Sequence, residues 1–89
     1  MAEIDVYHRP EQNRFEITAQ DETAVLEYML NGSTIIFTHT GVPPALEGQG
    51  IGSKLAKAGV EYARANGLKI RSLCWFVDKY IQRHPEYPD

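Results

Sequence analysis

The chain has 89 residues, 43% of them hydrophobic and 24% charged, with a formal net charge of −3. That length allows one modest core and so one domain over residues 1–89, and the interleaving of apolar with polar positions argues against disorder. The weak negative charge leaves no electrostatic footprint for nucleic acid, and one cysteine, Cys74, forms no intramolecular disulfide.

No apolar N-terminal run resembles a signal peptide or a membrane span, and His8, His39 and His84 match no metal-ligand spacing. A cytoplasmic location with no metal, no nucleic acid and no membrane partner is therefore expected. Lys69 and Arg71 alternate on one segment and Lys79 and Arg83 sit four apart; each pair reads first as a solvated face, although two or three such charges would serve a small anion.

Ile4, Val6 and His8 alternate before Arg9-Pro10-Glu11-Gln12-Asn13, which predicts an edge strand or extended arm over residues 1–13 closed by a turn. Arg14–Thr18 alternates Phe15 and Ile17 with polar neighbours. After Asp21-Glu22 the segment Thr23–Leu30 puts Ala24, Leu26, Tyr28 and Leu30 on one face. Asn31-Gly32-Ser33 is hairpin chemistry, and Thr34–Thr40 is rich in β-branched and aromatic residues, so an antiparallel meander is predicted. Pro43-Pro44 ends it, because proline has no N–H to donate.

From Ile51 to Asn66 the period becomes 3.6, with Ile51, Leu55, Ala58, Tyr62 and Ala65 as the apolar stripe. The small residues Ala56, Ala58, Gly59 and Ala63 suit a helix axis close to a sheet, and Asn66-Gly67 supplies the stop. Leu68–Leu73 reads as a further strand, which makes strand, loop, helix and strand a right-handed βαβ unit with a parallel pair. Val77–His84 is a short second helix whose inner side carries Val77, Tyr80 and Ile81 and which ends at His84-Pro85. The predicted fold class is α+β: a β-meander followed by a βαβ unit, one long helix and a short C-terminal one.

Gly48, Gly50 and Gly52 alternate between a strand and a helix, where exposed backbone N–H groups and the helix dipole favour an anion. A plain flexible turn is the rival reading. A dinucleotide fold would want an acidic residue about twenty positions further on, where Lys69 and Arg71 stand instead. A phosphate-binding P-loop would want Gly-Lys-Ser/Thr, whereas Ser53-Lys54 comes in the reverse order.

The stretch from Val42 through Glu47-Gly48-Gln49-Gly50-Ile51-Gly52 to Leu55 resembles the pyrophosphate loop and helix of GCN5-related N-acetyltransferases, whose motif is Gln/Arg-x-x-Gly-x-Gly/Ala. His39-Thr40, Val42-Pro43-Pro44, Leu73-Cys74 and Tyr80 to Tyr87 resemble more narrowly a branch of very short acetyltransferase-like proteins. The resemblance implies acetyl-CoA or CoA as co-substrate, no metal, and an amine acceptor of unknown identity, small molecule or protein. Glu47, Gly48, Gln49, Gly50, Ile51, Gly52 and Ser53 would meet the pyrophosphate, and the backbone of Thr40, Gly41 and Val42 would meet the pantetheine arm. Two positions depart from the pattern: Glu47 replaces Gln or Arg, and Gly41 stands where the short branch often has glutamate.

Three catalytic candidates remain, each with an ordinary alternative. Cys74, at a strand end and beside a helix N-terminus, is a candidate acyl acceptor or a small buried apolar residue. His39 is a candidate general base or a packed strand residue. Tyr80 matches the tyrosine that the family uses to protonate the departing thiolate, yet it also belongs to its helix's inner side. Lys79 and Arg83 are candidates for CoA phosphates, and His84 and Tyr87 for closing the C-terminus over the core. The shortness of the chain suggests an open acceptor groove, and a first strand at the sheet edge that could pair with another copy gives the expectation of a monomer or weak homodimer. An acyl-CoA-binding module without turnover is the competing function.

Overall fold

The computed structural model describes residues 5–83. The expectations for Ile4 and for residues 84–87, including His84 and Tyr87, lie outside these. Five strands form one sheet in the order β1-β2-β3-β4-β5: β1 Tyr7–Arg9, β2 Arg14–Ala19, β3 Glu22–Asn31, β4 Thr34–Gly41 and β5 Lys69–Ser72. The first four pair antiparallel and β5 lies parallel to β4. Helix α1, Ile51–Ala65, makes the crossover, and α2, Trp75–Arg83, follows β5. This is the α+β architecture that the alternation and its change of period imply.

The core lies between one sheet face and the helices. Phe15 and Ile17 of β2, Ala24, Leu26 and Tyr28 of β3, Ile35 and Phe37 of β4 and Ile70 of β5 are buried, as period-two alternation requires of a sheet covered on one side. Leu30, expected on the same face, is exposed at the end of β3. The opposite face carries Arg9, Arg14, Glu16, Val25, Glu27, Met29, Ile36, Lys69 and Arg71, and Glu16 bridges Arg9 and Arg14.

The apolar stripe of α1 is rotated from its expected position. Its buried residues are Ile51, Gly52, Leu55, Ala56, Gly59, Val60 and Ala63, whereas Ala58 and Tyr62 are half-buried and Ala65 is exposed. Close approach to the sheet selects the smallest residues. A Cβ at Gly59 would stand 2.7 Å from a Phe37 ring carbon and 3.0 Å from Leu26 Cδ2. Tyr62 sits at the rim in an aromatic group with His8, Phe15 and Tyr28, where the His8 ring stacks on Phe15 at 4.3 Å and its Nε2 meets the Tyr28 hydroxyl at 2.5 Å.

Helix α2 begins two residues before the expected Val77. The turn into it is held by Ser72, whose Oγ accepts the Cys74 N–H at 3.1 Å and donates to the Cys74 carbonyl at 2.8 Å. That carbonyl also accepts the first helical bond, from the Asp78 N–H at 3.1 Å. Local serine chemistry of this kind is invisible to an apolar stripe.

Candidate functional site

A β-bulge shapes the site. Tyr28 pairs with Phe37 but Glu27 pairs with His39, which leaves Thr38 as an extra residue in β4, its hydroxyl donating to the Glu27 carbonyl at 3.3 Å. Inserting one residue exchanges the two faces beyond it. Ile35 and Phe37 point to the core before the bulge, and after it Thr40, opposite Leu26, takes that direction while His39, opposite Glu27, turns to the open face.

The bulge also coincides with the end of the parallel pairing. The last β4–β5 partners are Phe37 and Ser72, followed by one bond from the Leu73 N–H to the Phe37 carbonyl at 2.8 Å. Past this point β4 runs on to Gly41 while the chain leaving β5 turns into α2. Thr40 Oγ1 and Cys74 Sγ approach to 3.1 Å across the gap, and Cys74 is half-buried.

Beneath that contact an open cavity of about 460 Å³ extends to the start of α1, lined by Thr40, Val42, Leu46, Glu47, Gly48, Gly50, Ile51, Gly52, Ser53 and Phe76. Pro43 and Pro44 lead into a 3-10 turn, Pro44–Leu46, that buries Leu46 and raises the glycine loop at the edge of the cavity. Gly48 and Gly50 have φ of +83° and +73°, left-handed values that glycine adopts without strain. A Cβ at either would meet nothing within 4 Å, so the cradle is open on its outer side.

Gly50 is the N-cap of α1 and provides no side-chain cap. The first N–H groups of the helix are left without intrahelical acceptors, and a polar ligand is one way to satisfy them. Val42, Leu46, Ile51 and Phe76 give the rest of the cavity an apolar wall. The residues present therefore fit a ligand with an anionic group and a long uncharged arm.

The remaining candidates divide by position. Gly52 lines the cavity and also lets the helices approach, since a Cβ there would lie 2.7 Å from Phe76 Cζ. Gln49 does not line it; its amide donates to the Ala45 carbonyl at 3.3 Å and ties the loop to the 3-10 turn. Gly41 faces away, towards the His39 ring, 3.2 Å from where its Cβ would be. Tyr80 is buried in the core. The Lys79 ammonium rests over the Trp75 ring at 5.3 Å, and Arg83 is the last residue of α2. Neither cation lines the cavity. Leu46 and Phe76 are wall residues that the sequence did not single out; Pro43-Pro44 pointed to the turn that buries the first, and nothing local pointed to the second. Among the described residues no group of three His, Cys, Asp or Glu could hold a metal ion, and no helix is long and apolar enough to cross a membrane.

The parallel strand pair thus separates at a bulge, above a glycine loop that opens a helix. The chain belongs to the GCN5-related N-acetyltransferase family, whose model matches residues 14–89. It is similar to the protein NATD1 of Mus musculus, 34% identical over 85 residues covering 92% of this chain and 77% of that protein. The NATD1 of Xenopus tropicalis is 31% identical over 85 residues, covering 92% and 78%. Among solved structures it resembles a GCN5-like protein from Staphylococcus aureus determined by NMR, with a TM-score of 0.75 and 34% identity over 98% of this chain and 86% of that one.

Proposed function

We propose that this protein moves the acetyl group of acetyl-CoA to an amine. One observation carries the reading: the cavity at the N-terminus of α1 is continuous with Thr40, and Thr40 meets Cys74 in the gap between β4 and β5. The N–H groups from Gly48 to Ser53 hold the pyrophosphate, helped by the positive end of the helix dipole. The arm lies along Thr40–Val42, and the thioester reaches the Thr40–Cys74 contact. Glu47, exposed on the rim, opposes the anion without blocking it, because the binding groups are backbone.

At that contact Cys74 is the acyl carrier. Its sulfur attacks the acetyl carbon, the carbon–sulfur bond to CoA breaks, and the departing sulfur takes the proton that Cys74 loses. The amine nitrogen then attacks the acetylated Cys74. A carbon–nitrogen bond forms, the bond to Cys74 breaks, and an amine proton returns to its sulfur. His39, on the open face, serves an acceptor arriving from that side. Tyr80 lies in the core.

Calorimetric titration with acetyl-CoA and with CoA tests the site before an acceptor is known. Saturable one-to-one binding is expected, weakened at least about tenfold in Gly50→Val, where a β-branched side chain meets a left-handed backbone. Cys74→Ala should keep acetyl-CoA affinity while turnover falls about a hundredfold or more. No heat at millimolar ligand would refute the reading. Binding with no transfer to any amine would leave an acyl-CoA-binding module.

A further inference from the structure

A larger open groove, about 870 Å³, lies outside the loop site, between the outer edge of β5 and α2. We propose that it binds the acceptor as an extended peptide, laid antiparallel along β5 with its α-amine at the Cys74 end and acidic side chains beside Lys69 and Arg71. The proposal rests on the acetyltransferase reading above and names its substrate class.

β5 is the last strand of the sheet and, among the described residues, is paired on one side only. The N–H groups of Lys69 and Leu73 bond to Ser33 and Phe37 of the β4 side, so the alternation of the ladder turns the N–H and C=O groups of Ile70 and Ser72 outward. That row is a template for one more strand, the means by which sheet edges hold extended peptides. β5 runs towards Cys74, so an antiparallel peptide places its first residue there.

The charges of the groove set the same direction. Asp78 stands at the Cys74 end, its N–H bonded to the Cys74 carbonyl, and it lines the groove with Ser72. Lys69 and Arg71 line the other end and, among the described residues, have no ion pair. A chain with a cationic amine at its head and carboxylates along its body matches this arrangement. A polyamine, cationic throughout, does not. Self-pairing of two β5 edges would bring Lys69 and Arg71 of both copies together on one face, which like-charge repulsion opposes.

Acid–base chemistry favours the same amine. An acceptor that sheds its own proton readily has the advantage. At pH 7 an α-amine with pKa about 7.8 is about 14% unprotonated, against about 0.04% for a lysine-type amine of pKa about 10.4. Alternate side chains of the peptide would fall on the two sides of the added strand, one set beside Lys69 and Arg71 and the other over Ile81.

The probe is the pentapeptide alanyl-glutamyl-valyl-glutamyl-valinamide, with its N-acetylated form, a version with lysines for glutamates, and spermidine alongside. Binding is read without acetyl-CoA by amide exchange, and transfer by CoA release. The free peptide should slow exchange at Ile70 and Ser72, be acetylated in preference to spermidine, and show KM raised about tenfold in Lys69→Glu/Arg71→Glu with kcat and acetyl-CoA affinity unchanged. The lysine version should recover on that variant. Unchanged KM in the variant, preference for spermidine, or protection of Ile70 and Ser72 that follows protein concentration rather than peptide would overturn the proposal. Failure of the wild-type protein to bind acetyl-CoA would overturn the transferase reading alone, since exchange still reports the peptide.

Discussion

Replacing Gly59 with alanine puts the packing of α1 on the sheet to a test whose sign separates two effects. The new Cβ would lie 2.7 Å from Phe37 Cε1, 2.9 Å from its Cζ and 3.0 Å from Leu26 Cδ2. Phe37 and Leu26 have no exposed surface, so neither can swing aside. Restoring a contact of about 3.5 Å requires the helix to rise by roughly 0.8 Å. Such overpacking costs about 1–3 kcal/mol. Alanine in a helix returns about 0.8–1 kcal/mol.

The net loss is about 1 kcal/mol, seen as a fall of roughly 4–8 °C in Tm for a domain of this size. In urea the midpoint should fall by about 1 M at unchanged slope. Gly52→Ala is the internal control: its Cβ meets only the ring end of half-buried Phe76, 2.7 Å away, which can turn. It should therefore leave Tm level or slightly raised. A Gly59→Ala protein as stable as its parent, or more so, would refute the close packing, because propensity alone would then account for it.

Stability should also depend on His8. Burial lowers its pKa below the usual 6.5, partly offset by Glu11, so the unfolded chain binds the proton more readily than the folded one. The contribution is complete above pH 6.5 and is lost as the pH falls through the window below it; urea unfolding from pH 7.5 to 5.5 should show this in the parent and not in His8→Gln. Loss of stability on raising the pH through this range would refute it. Thr40→Val keeps the shape of the β4 end but removes the hydroxyl next to Cys74. Acetyl-CoA affinity should stay within about threefold while turnover falls about tenfold or more, and the reverse pattern would place Thr40 in binding rather than chemistry.

The elements were legible in the sequence because each follows a period or a breaker: Phe15 and Ile17, Ala24 to Tyr28 and Ile35 with Phe37 in steps of two, Pro43-Pro44 and Asn66-Gly67 as stops. The glycine loop was legible for the same reason, since Gly48 and Gly50 adopt left-handed backbone. The face of α1 was not, because alanine and glycine carry little hydrophobic signal, and it is their lack of bulk that turns Ala56, Gly59 and Ala63 inward. The separation of His39 from Cys74 was hidden too. Both are at strand ends, but the bulge at Thr38 is marked by no residue type, and without it His39 would share a face with Phe37. Lys79 and Arg83 looked alike in sequence as cations four apart on one helix, yet only distance along α2 decides which lies near Trp75 and which at the far end.

Thr38 divides β4 into two stretches with opposite parity. Odd-numbered positions are interior before it and exterior after it, so any scheme that sorts this strand by odd and even numbers inverts halfway along. A library meant to vary only the surface would, beyond Thr38, vary the inward-facing residue beside Cys74. Deleting that single residue would restore one parity from Thr34 to Gly41 and still leave His39 opposite Glu27 on the open face and Thr40 opposite Leu26 beside Cys74. The extra residue therefore bends and twists the end of the strand without choosing which way its side chains face.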